Sequence, residues 1–169
     1  MSVPNQENWY ALYTRSNFEK KIYYSLINSQ VNAFLPMIKQ KHTYSDRKKT
    51  IEIPLVPGYV FVFTSENYIP QLCYYTGVVR VVRIEGKPCV VDPQDILRLK
   101  TIVKLGIETT CKPVICDTGR KVQVVRGPLK GWEGFVSMMK SKFMVVFQVS
   151  GIYKSLSVEI DSRNLKILN

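Results

Sequence analysis

The side chains with chemical potential in this chain are basic and aromatic. Among 169 residues there are 24 Lys and Arg against 13 Asp and Glu, for a net charge of +11, together with ten tyrosines, seven phenylalanines and two tryptophans. Such an excess points to an anionic partner, either a nucleic acid or an anionic surface. Lys39, Lys41, Arg47, Lys48 and Lys49 set five positive charges against Asp46 within eleven residues. On a hairpin tip they would form a basic arm able to neutralise phosphates. Arg15, Lys20 and Lys21 form a second group, with Tyr23 and Tyr24 close behind and Tyr68, Tyr74 and Tyr75 further on.

Catalytic chemistry has little to work with. His42 is the sole histidine, so Ser-His-Asp and Cys-His arrangements lack partners. Cys73, Cys89, Cys111 and Cys116 match no zinc-pair spacing and read as reduced thiols. The acids are scattered, without a DxD or ExxE pair. Neither GxGxxG nor GxxxxGK[ST] occurs. The expectation is a protein that is not an enzyme and carries neither cofactor nor metal.

Those groups must be held by elements that the pattern also specifies. Trp9 to Thr14 is aromatic and apolar, as in a buried strand. Ser16-Asn17-Phe18-Glu19 reads as a capping box opening a helix from about Asn17 to Ser29, with Phe18, Ile22, Leu26 and Ile27 on one face. A basic residue in a helix's first turn runs against the helix dipole, which favours a functional reason for Lys20 and Lys21. Ala33 to Thr43 is one extended segment bent at Pro36, and Ile51 to Leu55 is its hairpin partner. Tyr59 to Phe63 is a strand after the Pro57-Gly58 turn. Ile69 to Tyr75 reads as a short helix, Val78 to Ile84 as a strand, and Asp92-Pro93 as the N-cap and first position of a third helix.

The order predicts an α+β domain over residues 1–104, an antiparallel sheet flanked by helices. Residues 105–118, aperiodic and containing Pro113, read as a linker. Short alternating runs from Gly119 onward, with turns at Gly127-Pro128, Gly131 and Gly134, predict a small β-barrel over 119–169. The glycines are expected to permit positive φ in the turns. The barrel's Val/Phe/Ile/Gly-rich composition favours strands throughout. The 14 basic and 8 acidic side chains of the first 104 residues, and the 10 and 5 of the rest, divide the charge into +6 and +5 without a polybasic tail.

Three segments resemble the NusG family of transcription factors: Trp9-Tyr10-Ala11-Leu12-Tyr13 with the helix bearing Glu19 and Lys20; Pro57-Gly58-Tyr59-Val60-Phe61-Val62, preceded by Val56 where the family usually has Phe; and Gly127-Pro128-Leu129-Lys130-Gly131-Trp132-Glu133-Gly134-Phe135-Val136, which is similar to the KOW motif. Phe34-Leu35-Pro36-Met37-Ile38 and the short first domain look more like the specialised RfaH and UpxY antiterminators.

The resemblance implies an N-terminal NGN domain, a linker and an SH3-like KOW barrel. It implies binding to the RNA polymerase clamp through Tyr13, Val56, Pro57, Tyr59 and Phe61. It also implies contact of Arg15, Lys20 and Lys21 with the non-template DNA strand, where Tyr68, Tyr74 and Tyr75 would stack on unpaired bases. In the barrel, Ile152 and Tyr153 correspond to the segment that meets a small-subunit ribosomal protein or Rho. The expected function is suppression of pausing or termination at a particular operon, of the polysaccharide type, by a monomeric cytoplasmic, nucleoid-associated protein without membrane contact. A general elongation factor, and a KOW-type RNA-binding or ribosome-associated protein, are the alternatives.

Overall fold

Trp9 to Thr14 does form the central strand of the first sheet, within β1 (Glu7–Thr14). The computed structural model describes residues 6–43, 48–113, 119–139 and 142–168, and the side chains of residues 42, 43, 48, 138, 139 and 142 lie outside the description. The chain divides into two units: Met1–Gly106 with Ser150–Ile152, and Ile107–Val149 with Tyr153–Asn169.

In the first unit, β1 is followed by α1 (Glu19–Asn28), β2 (Asn32–Phe34), β3 (Met37–Thr43), β4 (Lys48–Pro54) and β5 (Tyr59–Ser65). A 3-10 turn over Glu66–Tyr68 leads into α2 (Ile69–Leu72). Then come β6 (Val78–Val81), β7 (Arg83–Ile84), β8 (Lys87–Pro88), β9 (Val90–Val91) and α3 (Pro93–Leu105). Five strands make an antiparallel sheet in the order β2-β5-β1-β6, with β9 also pairing to β1. Strand alternation sorts β1 and β5 into two faces. Tyr10, Leu12, Val60 and Val62 pack with Ile22 and Leu26 of α1 and Ile69 and Leu72 of α2 in one core. Trp9, Ala11, Tyr13, Tyr59, Phe61 and Phe63 stand on the other face, which α3 approaches through Lys100.

Several elements depart from the sequence reading. The capping box does not form: α1 has no side-chain cap hydrogen bond. Asn17 takes a left-handed φ of 65°. Phe18 N–H closes a turn onto Arg15 O at 3.1 Å, so the helix begins late, at Glu19. The extended segment at 33–43 breaks at Leu35-Pro36 into β2 in the main sheet and β3 in a separate two-stranded ribbon with β4. The short helix ends at Leu72 rather than Tyr75. The strand expected over 78–84 stops at Val81, and Arg83 to Pro88 folds as its own hairpin. Glu85 and Gly86 supply its two positive φ values, 50° and 80°, the geometry of a type I′ turn. The third helix matches its signals: Asp92 accepts from Gln94 N–H at 2.8 Å, Pro93 is its first residue, and left-handed Gly106 ends it.

The second unit is a six-stranded antiparallel sheet around one apolar core, consistent with a KOW or SH3-like barrel. Its strands are β10 (Thr109–Pro113), β11 (Lys121–Val124), β12 (Glu133–Met139), β13 (Lys142–Gln148), β14 (Lys154–Glu159) and β15 (Leu165–Ile167), in the order β10-β14-β13-β12-β11-β15. Five of the fourteen residues of the expected linker are therefore sheet. Thr109–Pro113 pairs with β14 residue by residue, and Pro113 sits at the end of an edge strand, where its missing N–H costs nothing. Val122, Val124, Leu129, Val145, Phe147 and Val158 form the core, with Trp132 edge-on to Phe147 at 5.3 Å. Gly127 and Gly131 have φ of 87° and 89° as expected. Gly134 does not: it lies inside β12, where an added Cβ would sit 2.5 Å from Val146 O, so close backbone approach excludes a side chain there. Among the described residues, no helix is long and apolar enough to cross a membrane.

Candidate functional site

The first unit carries a ladder of rings on the sheet face opposite α1. Residues directly opposite one another share a face. The register pairs Trp9 with Phe63, Ala11 with Phe61 and Tyr13 with Tyr59, and places Phe34 against Phe61. The ring centroids lie 5.3 Å apart for Trp9–Phe63, 5.5 Å for Tyr13–Tyr59 and 6.4 Å for Phe34–Phe61. These are the tilted contacts that aromatic quadrupoles prefer.

Exposure separates the five clamp-contact candidates. Val56 and Phe61 are fully buried and Tyr59 is 8% exposed, whereas Tyr13 is 38% exposed and Pro57 is exposed. The last two are the residues available to a partner. Val56, Pro57, Gly58 and Tyr59 form a tight turn closed by Tyr59 N–H donating to Val56 O at 3.3 Å. Pro57 precedes Gly58 at φ 83°, the type II arrangement, which turns Val56 and Tyr59 inward and leaves Pro57 at the crest. The Val-for-Phe replacement at 56 thus changes an interior residue. Tyr13 lies beside this turn, its ring 3.5 Å from the place a Gly58 Cβ would occupy.

Two cations cap the ladder, and neither was singled out from the sequence. The Arg80 guanidinium lies 5.5 Å from the Tyr13 ring centroid, reached because Arg80 is the register partner of Tyr13 across β6. The Lys100 ammonium lies 5.3 Å from Trp9 and 5.4 Å from Phe34. Each is a cation–π contact. Only the strand register or the packing of α3 discloses them.

Glu19 has a different job from capping. Its side chain is 5% exposed, and Oε1 accepts the Gly58 N–H at 2.9 Å, tying the start of α1 to the Pro57 crest. Thr14 N–H donates to Gly58 O at 2.9 Å and Arg15 N–H to Gly77 O at 2.8 Å. Gly77, at φ 99°, lies so close under the Phe18 ring that a Cβ could not fit. The Lys21 ammonium stands 5.6 Å over the same ring. Arg15, Lys21 and the loop before Gly77 are thereby brought together.

In that loop Tyr74 is 87% exposed, while Tyr75 is half-buried. A side-chain hydrogen bond with Tyr75, helped by burial, pushes the Tyr68 hydroxyl pKa above its ordinary value. Tyr74 is therefore the free ring of the three. Tyr24 is 62% exposed and packs edge-on against Tyr23. Lys20 turns the other way: its ammonium donates to Glu52 O at 3.1 Å, at the base of the β3–β4 ribbon. Lys41 and Lys49 are exposed on that ribbon. Lys48 belongs to β4 by its backbone, and Arg47 lies outside the described residues.

In the second unit the KOW-like segment is a turn. Gly131 N–H donates to Val124 O at 2.7 Å, Pro128 is exposed, and Leu129 enters the core at 4% exposure. Of the expected partner-contact pair, Tyr153 is 75% exposed, whereas Ile152, which belongs to the first unit, is only 7% exposed and offers no surface. Burial pushes the thiol of Cys111 above its ordinary pKa despite nearby Lys154, and burial does the same to Cys89, keeping both from the reactive thiolate form.

The aromatic sheet face and the Pro-Gly crest both lie in the part of the chain that matches a known family. Residues 7–100 match the family model described as "transcription termination factor NusG". The chain belongs to the NusG family, a family of transcription factors rather than enzymes. A solved structure of NusG from Thermotoga maritima, titled for its domain interaction, is similar over 97% of this chain and 98% of that one, at 19% identity and a TM-score of 0.61. At that identity it supports the fold. Two structures of an MjSpt4:Spt5 complex match at 17% and 18% identity over 95% of this chain, with TM-scores of 0.31 that carry no weight.

Proposed function

We propose that the protein is an operon-specific transcription antitermination factor. It holds the RNA polymerase clamp with the Tyr13–Pro57 edge of its first unit and suppresses pausing or termination. The observation that carries this reading is the exposure of Tyr13, beside a turn whose Pro57 is also exposed, at the end of a sheet face where Ala11, Tyr59 and Phe61 are buried, within the segment that matches the family model. An aromatic anchor beside a rigid turn, flanked by the Arg80 cation, is suited to a partner helix. The loop bearing Tyr74, with Arg15 and Lys21 beside it, suits an unpaired base and its phosphates. Exposed Tyr153 remains the contact point for a ribosomal protein or Rho on the second unit.

Resemblance to the RfaH and UpxY type at Phe34 to Ile38 favours a specialist over a general factor. Co-purification of the full chain with core RNA polymerase tests the first half of the reading, and absence of association defeats it. Genome-wide occupancy tests the second: enrichment at one operon is expected, and uniform occupancy would make the protein a general factor.

A further inference from the structure

The β3–β4 ribbon has a construction of its own. Its strands hydrogen-bond to each other and, among the described residues, to no other strand. The register places Lys39 and Lys41 on one face with their partners Glu52 and Thr50, and Gln40, Ile51 and Lys49 on the other. Lys39, Gln40, Lys41, Lys49 and Thr50 are exposed, whereas Ile38, Ile51 and Ile53 are half-buried. The two lysines of the first face stand about 7 Å apart, two residues along a strand. Lys20, at 3.1 Å from Glu52 O, adds a fourth cation at the base. Glu52 is the one acid in the two strands.

Positive charge on both faces of a ribbon that pairs with no other described strand suits phosphates, and the ribbon's composition and shape narrow which ones. Neither strand contains a Phe, Tyr or Trp, so the two strands lack the large rings on which single-strand sites stack successive bases. A two-stranded β-ribbon is one of the elements that the major groove of B-form DNA, about 12 Å wide, admits. The deep, narrow major groove of A-form RNA does not. Seven residues per strand give a ribbon of about 24 Å.

We propose that the β3–β4 ribbon docks in the major groove of double-stranded DNA, with Lys39 and Lys41 on one face, Lys49 on the other and Lys20 at the base neutralising the flanking phosphates. The setting rests on the transcriptional reading above, but the binding belongs to the isolated chain and needs no polymerase.

Fluorescence anisotropy of the full chain on a labelled mixed-sequence DNA duplex, between about 50 and 200 mM salt, tests it. Each phosphate neutralised contributes about 0.9 to the slope of log affinity against log salt. Lys39→Ala with Lys41→Ala should flatten the duplex slope by nearly 2, and Glu52→Lys should steepen it by about 1. Leu97→Ala, at an exposed position of α3, should leave duplex binding unchanged. No duplex binding by the unmodified chain, slopes unmoved in both lysine variants, or the same changes on an RNA duplex would each overturn the proposal. Circular dichroism confirms that each variant is folded. Failure here with intact polymerase co-purification removes the ribbon alone; the reverse outcome removes the clamp reading and leaves the ribbon.

Discussion

The two units use aromatic rings in opposite ways. In the second unit Trp132 meets Phe147 edge-on above a core in which Phe147 is 2% exposed, and the contact serves the fold. In the first unit the rings form a graded series across one sheet face, from Phe61 at 0% exposure through Tyr59 at 8% to Tyr13 at 38%. Cations lie over Tyr13, Trp9 and Phe34 on this face. The difference teaches that membership of a strand's aromatic run does not assign a role. Register sets which rings touch, and the neighbouring turn decides which remain outside.

Truncation at the two extremes should break or uphold this contrast most visibly. Phe147→Ala is expected to cost about 3–5 kcal/mol, because it leaves a cavity in a small core. Tyr13→Ala should cost only about 1 kcal/mol, the worth of one ring pair at a part-exposed site. Urea denaturation monitored by tryptophan fluorescence measures both. Equal costs would dissolve the distinction between fold rings and surface rings.

Gly77→Ala comes next. It combines an unfavourable φ of 99° with collision against Phe18 and should cost about 2–3 kcal/mol. Thermal unfolding checks this, and a neutral result would mean that Phe18 yields freely. Glu19→Gln should cost about 1 kcal/mol, since a neutral acceptor replaces a charged one on the Gly58 N–H. The same measurement should show no change if Glu19 were a simple helix cap on the surface.

The smallest effect lies in the second unit. Hydrogen bonds from the Arg163 side chain and N–H hold the Asp161 carboxyl down to about 2. A group with a folded-state pKa below its unfolded value stabilises at higher pH. The contribution is present above about pH 4 and lost as the pH falls through 2. Asp161→Asn should therefore narrow the stability difference between neutral and acidic pH slightly, read from parallel melting curves. An unaltered difference would mean that Asp161 and Arg163 are not paired in solution.

Local signals disclosed much of the fold. β1, β5 and α3 follow from an aromatic run, a Pro-Gly turn and an Asp-Pro cap, each a short-range code. The box at Ser16 to Glu19 misled because the same carboxylate had a stronger, distant donor in Gly58. The hairpin at Arg83 to Pro88 escaped because Glu85-Gly86 is not one of the usual turn pairs, although Glu85 adopts the required φ of 50°. β10 escaped because pairing with β14, not periodicity, makes Thr109 to Pro113 a strand.

At the candidate site the sequence singled out the ring-bearing strands but not their exposure. Strand alternation leaves open which candidates face a partner and which form the core: Val56, Tyr59, Phe61 and Ile152 lie inside, while Arg80 and Lys100 depend on partners far along the chain. Long-range packing decides both.

The account rests on Tyr13 as an anchor that the fold itself hardly needs. The direct test is the affinity of full-length Tyr13→Ala for core RNA polymerase, measured beside its melting temperature. A loss of about 30-fold in affinity, the worth of a hot spot near 2 kcal/mol, with a melting temperature lowered by only a few degrees, is the predicted result. Unchanged affinity in a folded variant would contradict it.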